Sequence, residues 1–194
     1  MPSVRVEQGW RRGRIAKRIV AAATTAVLIT SGLTLGAQPA NAVTCGMRFA
    51  LLSTDLQRYV SVELGNINDR YGELRARATD VGPWEIFRWC YISHDSRTGE
   101  DINALKSEAN NRYVSVEFFY GGDYNRMLRA RATAIGPWER LTIHEFSNDI
   151  IGIRSSSDQW VSADQDYPGD DSGMLIANRL YHGPWESFYV QPLG

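Results

Sequence analysis

Three loops predicted from this sequence share a pattern of side chains. Each loop has an aromatic or amide residue followed three positions later by an aspartate: Asn66 and Asp69, Tyr120 and Asp123, Tyr167 and Asp170. A tyrosine face packs against the apolar side of a pyranose ring, and a carboxylate accepts hydrogen bonds from paired hydroxyls. Further aromatic and acidic residues lie close by, namely Tyr71, Phe119, Tyr124, Asp166 and Asp171. The loops are therefore predicted to bind carbohydrate.

Two other interpretations of these loops stay open. Aspartate and glycine are preferred turn residues, so the aspartates could simply shape tight loops, with the tyrosines covering them. Asp166, Asp170 and Asp171 could instead hold Ca²⁺, but their spacing fits no EF-hand loop. The sequence therefore predicts no metal site and no cofactor.

Catalytic groups recur in the sequence without the arrangement that catalysis requires. A glycosidase needs two carboxylates in different environments facing one substrate, whereas Glu85, Glu139 and Glu186 repeat at equivalent positions. These glutamates are expected to bind backbone donors or an arginine. Ser61, Ser115 and Ser162 also repeat, but His94, His144 and His182 stand at unrelated positions and lack metal-ligand spacing. We expect a protein without catalytic activity.

The tetrapeptide Gly-Pro-Trp-Glu occurs three times and is the most conspicuous motif. Glycine and proline favour a tight turn, and the tryptophan then brings a large apolar surface to an equivalent place in each copy. A core layer is the predicted role of the three indoles, and a platform for sugars is the alternative. The copies are Gly82, Pro83, Trp84 and Glu85; Gly136, Pro137, Trp138 and Glu139; and Gly183, Pro184, Trp185 and Glu186.

These motifs belong to three repeats, residues 58–85, 112–139 and 159–186, whose internal spacing is identical. From Val60, Val114 and Val161 it is 14 residues to Leu74, Leu128 and Leu175, and 8 more to the glycine of the turn motif. Apolar and polar residues alternate with a period of two, which predicts two strands joined as a hairpin. One apolar run before each hairpin and one after the turn motif bring the predicted total to twelve strands.

Three units of four strands predict an all-β fold closed with approximate three-fold symmetry, a β-trefoil, because three blades are too few for a propeller. Its repeats span approximately residues 43–92, 100–147 and 148–194. The motifs YVSxE, LxAxR or LxANR, and GPWE resemble the fascin-like branch of β-trefoils, although the first two copies have Arg-Ala-Arg where the family often has Ala-Asn-Arg. The resemblance implies carbohydrate binding in single secreted microbial domains and actin bundling in tandem eukaryotic ones.

Residues 1–42 read as a signal peptide, with a basic start, an apolar stretch and the A-x-A site Ala40-Asn41-Ala42. Cleavage there would leave residues 43–194 as one secreted domain. That domain holds 15 Lys and Arg against 21 Asp and Glu, a net charge of −6. This charge argues against nucleic acid and anionic membranes as partners. Arg75, Arg77, Arg129 and Arg131 are expected to pair with acidic residues, with an anion contact as the alternative.

Cys45 and Cys90 bracket the first repeat, and in an exported chain they predict a disulfide. The expected partner of this monomeric domain is an extracellular polysaccharide or glycan. The alternative is a protein-binding module, an inhibitor or adhesion factor, which would use the same loops or a protrusion formed by the linker at residues 91–109.

Overall fold

The computed structural model describes residues 43–65, 70–147 and 149–194, and the regular elements there are β-strands and short 3₁₀ turns. The predicted leader lies outside the described residues. Within them, no helix is long and apolar enough to cross a membrane. Twelve strands are present, the predicted number: β1 Cys45–Ser53, β2 Arg58–Glu63, β3 Glu73–Ala78, β4 Phe87–Asp95, β5 Glu100–Ser107, β6 Tyr113–Val116, β7 Leu128–Ala132, β8 Leu141–Ser147, β9 Ile150–Ser155, β10 Trp160–Asp164, β11 Met174–Arg179 and β12 Phe188–Leu193.

Six strands form a closed ring. β1 pairs with β4 and β12, β5 pairs with β4 and β8, and β9 pairs with β8 and β12, all antiparallel. The other six strands form three hairpins, β2–β3, β6–β7 and β10–β11. Each repeat therefore contributes two strands to the ring and one hairpin, which is the four-stranded unit that the sequence predicts.

Alternating apolar residues of both parts make one core. Val60, Val114 and Val161 are fully buried on the hairpins, and Phe87, Leu141 and Phe188 are buried at the start of a ring strand in each repeat. The two-residue period places every second side chain on the same face, so each strand buries one row. Closing the ring leaves its strands without an exposed edge.

The linker between the first two repeats, which the protein-binding alternative predicts to protrude, is regular structure. β4 and β5 pair with each other from Phe87↔Ser107 to Asp95↔Glu100, joined by a four-residue turn. Most of the additional length of this repeat therefore extends a hairpin of the ring. Backbone groups that a loose linker would expose to water are paired within the two strands.

Three equivalent hydrogen bonds join the hairpins to one another. The amide of Ala76 donates to Gly173 O at 2.8 Å, that of Ala130 to Gly72 O at 2.7 Å, and that of Ala177 to Arg126 O at 3.0 Å. All three acceptor residues have left-handed backbone, with φ of +82°, +81° and +71°. The longest bond belongs to Arg126, the acceptor that carries a Cβ atom. This position therefore favours glycine, because each hairpin approaches the next so closely.

We predict that Gly173→Ala lowers the free energy of unfolding by about 2 kcal/mol. A Cβ at Gly173 would lie 2.6 Å from Ala76 O, against backbone that cannot move without losing the bond between hairpins. Urea unfolding measures the loss, and Gly121→Ala is the matched control because that residue has φ of −71° and open space around it. Equal stability of the two variants would refute the close-approach argument.

Candidate functional site

The three Gly-Pro-Trp-Glu motifs form 3₁₀ turns, Pro83–Glu85, Pro137–Glu139 and Pro184–Glu186, each placed just before a ring strand. In the first turn, Glu85 Oε2 accepts from the amide of Gly82 at 2.7 Å and Oε1 accepts from the Ser61 hydroxyl at 2.5 Å. Glu139 repeats both contacts, with Gly136 at 2.6 Å and Ser115 at 2.5 Å. These buried glutamates bind local donors, the role expected from the sequence, and tie each turn to its hairpin.

The third turn differs in its contacts. The Ser162 hydroxyl donates to Ile176 O at 3.4 Å, and Arg179 Nε lies 4.0 Å from Glu186 Oε1. Burial raises the pKa of Glu186, while the Gly183 amide and Arg179 oppose that rise. The third glutamate therefore differs from Glu85 and Glu139 because the serine of its hairpin donates to a backbone carbonyl instead of to the carboxylate.

The prediction that the three tryptophans form a core layer is wrong. Trp84 is 51% exposed and Trp138 is 37% exposed, and Trp185 is only half-buried. In these turns the glutamate occupies the buried side, so the indole two positions after glycine is directed toward the surface. The triplicate tryptophan is thus a repeated surface feature, and the ring strands supply the core instead.

Two of these turns border open clefts at equivalent places. The first-repeat cleft has a volume of about 320 Å³ and the third-repeat cleft about 390 Å³. Each is formed by the end of a hairpin strand and the tryptophan and glutamate of the turn. The first is lined by Ser61, Arg77, Ala78, Thr79, Asp80, Trp84 and Glu85, and the third by Asp166, Arg179, Leu180, Tyr181, Pro184, Trp185 and Glu186.

One arginine in each repeat is bound to an acidic residue of the same hairpin. Arg77 pairs with Glu63, and Arg131 Nη2 donates to Glu117 Oε2 at 2.8 Å. The third repeat has its arginine one position later, at a bulge between β10 and β11, where Arg179 Nη2 lies 3.1 Å from Asp164 Oδ2. The predicted pairing of Arg77 and Arg131 with acidic partners is confirmed.

The other two arginines of that prediction bind backbone carbonyls of neighbouring hairpins. Arg75 Nη2 donates to Ser172 O at 3.3 Å, and Arg129 donates to Tyr71 O at 3.0 and 2.8 Å. They therefore link repeats rather than form a free basic stripe.

The turn of the second repeat is covered by aromatic rings. Phe118 and Phe119 lie against Trp138, with ring centroids 6.4 and 5.7 Å away. Phe119 is itself 85% exposed. It stands at the position that Asp166 occupies in the third repeat. The second repeat thus presents an apolar surface where the third presents a carboxylate.

The hairpin loops chosen from the sequence meet one another across the repeats. The Tyr124 hydroxyl donates to Asp171 Oδ2 at 2.8 Å, and the Tyr167 hydroxyl donates to the carbonyl of Asp123. The Tyr124 ring stacks on Tyr167 and meets the edge of Tyr120, both at 6.4 Å. The loops therefore form one aromatic cluster, with two of its hydroxyls engaged, instead of three independent pairs of tyrosine and aspartate.

The remaining predicted loop residues have different positions. Tyr71 is 41% exposed beside the cluster, and the Asp123 side chain is exposed. Asn66 and Asp69 lie outside the described residues. Asp170 belongs to the 3₁₀ turn Gly169–Asp171, and its side chain also lies outside the description.

A buried ionic group under this cluster escaped sequence analysis. Glu73 is fully buried, and its Oε2 lies 3.0 Å from Arg70 Nε, in an ion pair without hydrogen-bond alignment. Arg70 also contacts Asp171 Oδ1 at 2.6 Å and lies over the Tyr124 ring. Burial raises the pKa of Glu73 to about 7. The sequence does contain a sign of this group, because Glu73 aligns with an apolar residue in each of the other repeats. These residues, Met127 and Met174, are equally buried.

Two histidines that are distant in sequence come together on Trp160. Its ring lies 4.9 Å from His144 and 5.1 Å from His182, and burial lowers the pKa of both imidazoles. Ser187 Oγ is 3.2 Å from His182 Nε2, but no carboxylate of the described residues lies within ion-pair distance of His182. A serine triad needs that third group to orient the imidazole. In the described ranges no set of three His, Cys, Asp or Glu side chains is placed to hold a metal.

No protein-family model and no curated protein sequence matches this chain. Among solved structures, the designed three-fold symmetric protein ThreeFoil is 11% identical with a TM-score of 0.57, over 75% of this chain and 99% of its own. The BEL β-trefoil is 12% identical with a TM-score of 0.55, over 76% and 94%. An exo-β-1,3-galactanase from Clostridium thermocellum is 11% identical with a TM-score of 0.58, over 76% of this chain and 30% of the enzyme. The chain therefore has the β-trefoil fold.

Proposed function

We propose that this protein is a non-catalytic binding protein that takes carbohydrate in the first-repeat and third-repeat clefts. One observation carries the proposal: a partly exposed tryptophan stands beside an arginine and carboxylates in equivalent clefts of two repeats. An indole face suits the apolar side of a pyranose, and the surrounding charged groups suit its hydroxyls. Open clefts of this kind fit an extended polysaccharide better than a small enclosed ligand.

Each group in the clefts has a distinct task. Trp84 and Trp185 supply stacking surfaces, and the exposed carboxylates of Asp80 and Asp166 accept hydrogen bonds from sugar hydroxyls. The buried glutamates hold the turns, so they position the indoles. Two sites on one rigid domain raise the overall affinity for a repeating polymer through effective concentration.

The hairpin cluster is a second surface for the same function. Tyr71, Tyr120 and Asp123 remain accessible there, whereas Tyr124 and Tyr167 use their hydroxyls between repeats. Carbohydrate binding at this cluster, the location favoured by the loop sequences, would stack a sugar on Tyr120 or Tyr71. Variants of the two surfaces separate these locations.

The setting of this function is also part of the proposal. We infer that residues 1–42 direct secretion, that the domain works outside the cell, and that it belongs to the fascin-like branch of the trefoils. The disulfide between Cys45 and Cys90 supports an oxidising compartment. The likeness to part of a galactanase supports a role with polysaccharides.

We predict that combining Trp84→Ala with Trp185→Ala weakens binding to insoluble polysaccharide at least tenfold, since each indole contributes about 1.4 kcal/mol of stacking. A glycan array identifies the sugar, and pull-down titrations then measure the affinity. Tyr91→Ala is the matched control, because Tyr91 is 51% exposed on β4 away from both clefts.

The same titration decides between surfaces and functions. If Tyr120→Ala loses glycan binding and the tryptophan double variant keeps it, the sugar binds at the hairpin cluster. Binding that survives both sets of substitutions, or no glycan bound by the unaltered protein, would refute the carbohydrate proposal.

A protein partner is the second candidate. Leu180 and Tyr181, at the rim of the third-repeat cleft, are 71% and 84% exposed, and exposed apolar side chains of this size often mark interfaces. This function requires no sugar. Leu180→Ala combined with Tyr181→Ala would then abolish capture of a protein partner while leaving glycan binding by the first-repeat cleft unchanged.

A further inference from the structure

The balance of charge in the two clefts indicates which class of sugar they take, an inference that rests on the proposed function. In the first-repeat cleft, Arg77 is already bound to Glu63, so it does not neutralise Asp80 or Glu85. In the third-repeat cleft, Arg179 is likewise bound to Asp164. Each cleft is therefore lined by one arginine and two carboxylates, and the arginine is bound to a third carboxylate outside the lining.

The third-repeat cleft has an exposed carboxylate that a ligand can reach. Asp166 forms an ion pair with Arg179 at 3.7 Å and remains 77% exposed as a side chain. The pKa of Glu186 is raised by burial, and the charge of Arg179 opposes that rise. The Arg179 guanidinium meanwhile lies 5.1 Å above the Trp185 ring, so a cation is already accommodated on this indole.

The second repeat lacks these features and serves as an internal comparison. Ala134 replaces Asp80, and Phe119 replaces Asp166 and packs against Trp138. The two exposed carboxylates stand at different positions of the repeat, because Tyr181 takes the place of Asp80 in the third repeat and Gly65 takes that of Asp166 in the first. The second repeat has a carboxylate at neither position.

We propose that the two clefts select positively charged amino sugars, placing the protonated amine on the exposed carboxylate at the rim of each cleft, Asp80 in one and Asp166 in the other. An ammonium group beside a tryptophan gains from the ring as well as from the carboxylate. A uronic acid would bring a like charge to the same place and be excluded. The ligand class is therefore a polymer of glucosamine-type units with free amines.

The test compares three tetrasaccharides by calorimetric titration at about pH 6, where such amines are protonated. They are composed of glucosamine, of N-acetylglucosamine and of galacturonic acid. The glucosamine tetramer should bind at least tenfold more tightly than its acetylated form, and the galacturonic acid tetramer should not bind. Combining Asp80→Asn with Asp166→Asn should remove this preference, so that the free-amine and acetylated tetramers bind with similar affinity.

The amines could also be attracted by the overall negative charge of the protein. A variant that removes one carboxylate outside the clefts controls for this attraction. Glu145→Gln alters an exposed carboxylate of β8 outside both clefts and should leave the preference intact. A preference that persists in the aspartate variant overturns the inference, as does one that Glu145→Gln abolishes. A lysine peptide that binds as tightly as the glucosamine tetramer would also overturn the assignment to sugars.

The titrations distinguish this inference from the proposed function on which it rests. Equal, tryptophan-dependent binding of the acetylated and free-amine tetramers would leave carbohydrate binding standing and refute selection for amines. Failure of every saccharide to bind would refute both.

Discussion

Replacing Cys45 and Cys90 by alanine should lower the free energy of unfolding by about 4 kcal/mol. The bond closes a loop of 45 residues that contains the whole first repeat, so it removes a large amount of chain entropy from the unfolded state. The native strands themselves hold the two positions together, because Cys45 and Cys90 are directly paired between β1 and β4. The folded structure should therefore survive the substitution with lower stability.

Urea unfolding of the double variant, compared with the unaltered protein, measures this effect. Adding a reductant provides the control: it should lower the stability of the unaltered protein to nearly that of the variant, and it should not affect the variant. An unchanged unfolding midpoint in the variant would mean that the cross-link adds no stability. Alanine suits this test because Cys90 is fully buried and a hydroxyl there would add a separate cost.

The strands of this fold were predictable because the repeats impose two independent signals. A period of two defines each strand, and identical spacing over three copies defines the hairpin that joins β2 to β3 and its equivalents. The disulfide followed from having two cysteines in a chain whose first 42 residues are predicted to be a signal peptide. Local patterns of this kind depend on neighbouring residues alone, so no knowledge of the tertiary arrangement was required.

The surface position of the tryptophans was not predictable from the same repetition. A core layer and a repeated surface turn both require one identical residue per copy. The distinction depends on which side of the Pro83–Glu85 turn faces inward, and the contacts of Glu85 with Ser61 and Gly82 decide that. A buried carboxylate was the less expected outcome because burying a charge is costly unless it is hydrogen-bonded.

The contact between the hairpin loops could not be predicted from the sequence either. Tyr124 and Asp171 are 47 residues apart, and the path of the six-stranded ring determines that their loops meet. Equivalent loops in three repeats could as easily have stood apart, each with its own site. The sequence contains one indication of this contact: Glu73 stands where the other two repeats have methionine.

Replacing Glu73 by methionine should stabilise the protein by up to about 3 kcal/mol at about pH 8.5 and by much less at about pH 4.5. The carboxyl group is fully buried, and its pKa is raised from 4.5 to about 7. A raised pKa means that the stability present below about pH 4.5 is lost as the pH rises through about 7. Methionine already occupies the two equivalent buried positions, 127 and 174, so its size suits the site.

The charges around Glu73 remain balanced in this variant. Arg70 keeps Asp171, 2.6 Å away, and its position over Tyr124, so removing Glu73 leaves no isolated cation. Urea unfolding across this pH range gives the difference between variant and unaltered protein, which cancels the opposite contribution of His144 and His182. Their lowered pKa values make stability fall as the pH drops below about 6.5. Glu73→Gln is the control: glutamine does not titrate, so the difference between this variant and the unaltered protein should show the same pH dependence while a polar group is kept. A difference that does not grow with pH would show that the buried carboxyl stays neutral or finds full compensation from Arg70, because only an uncompensated buried charge destabilises a fold in this way.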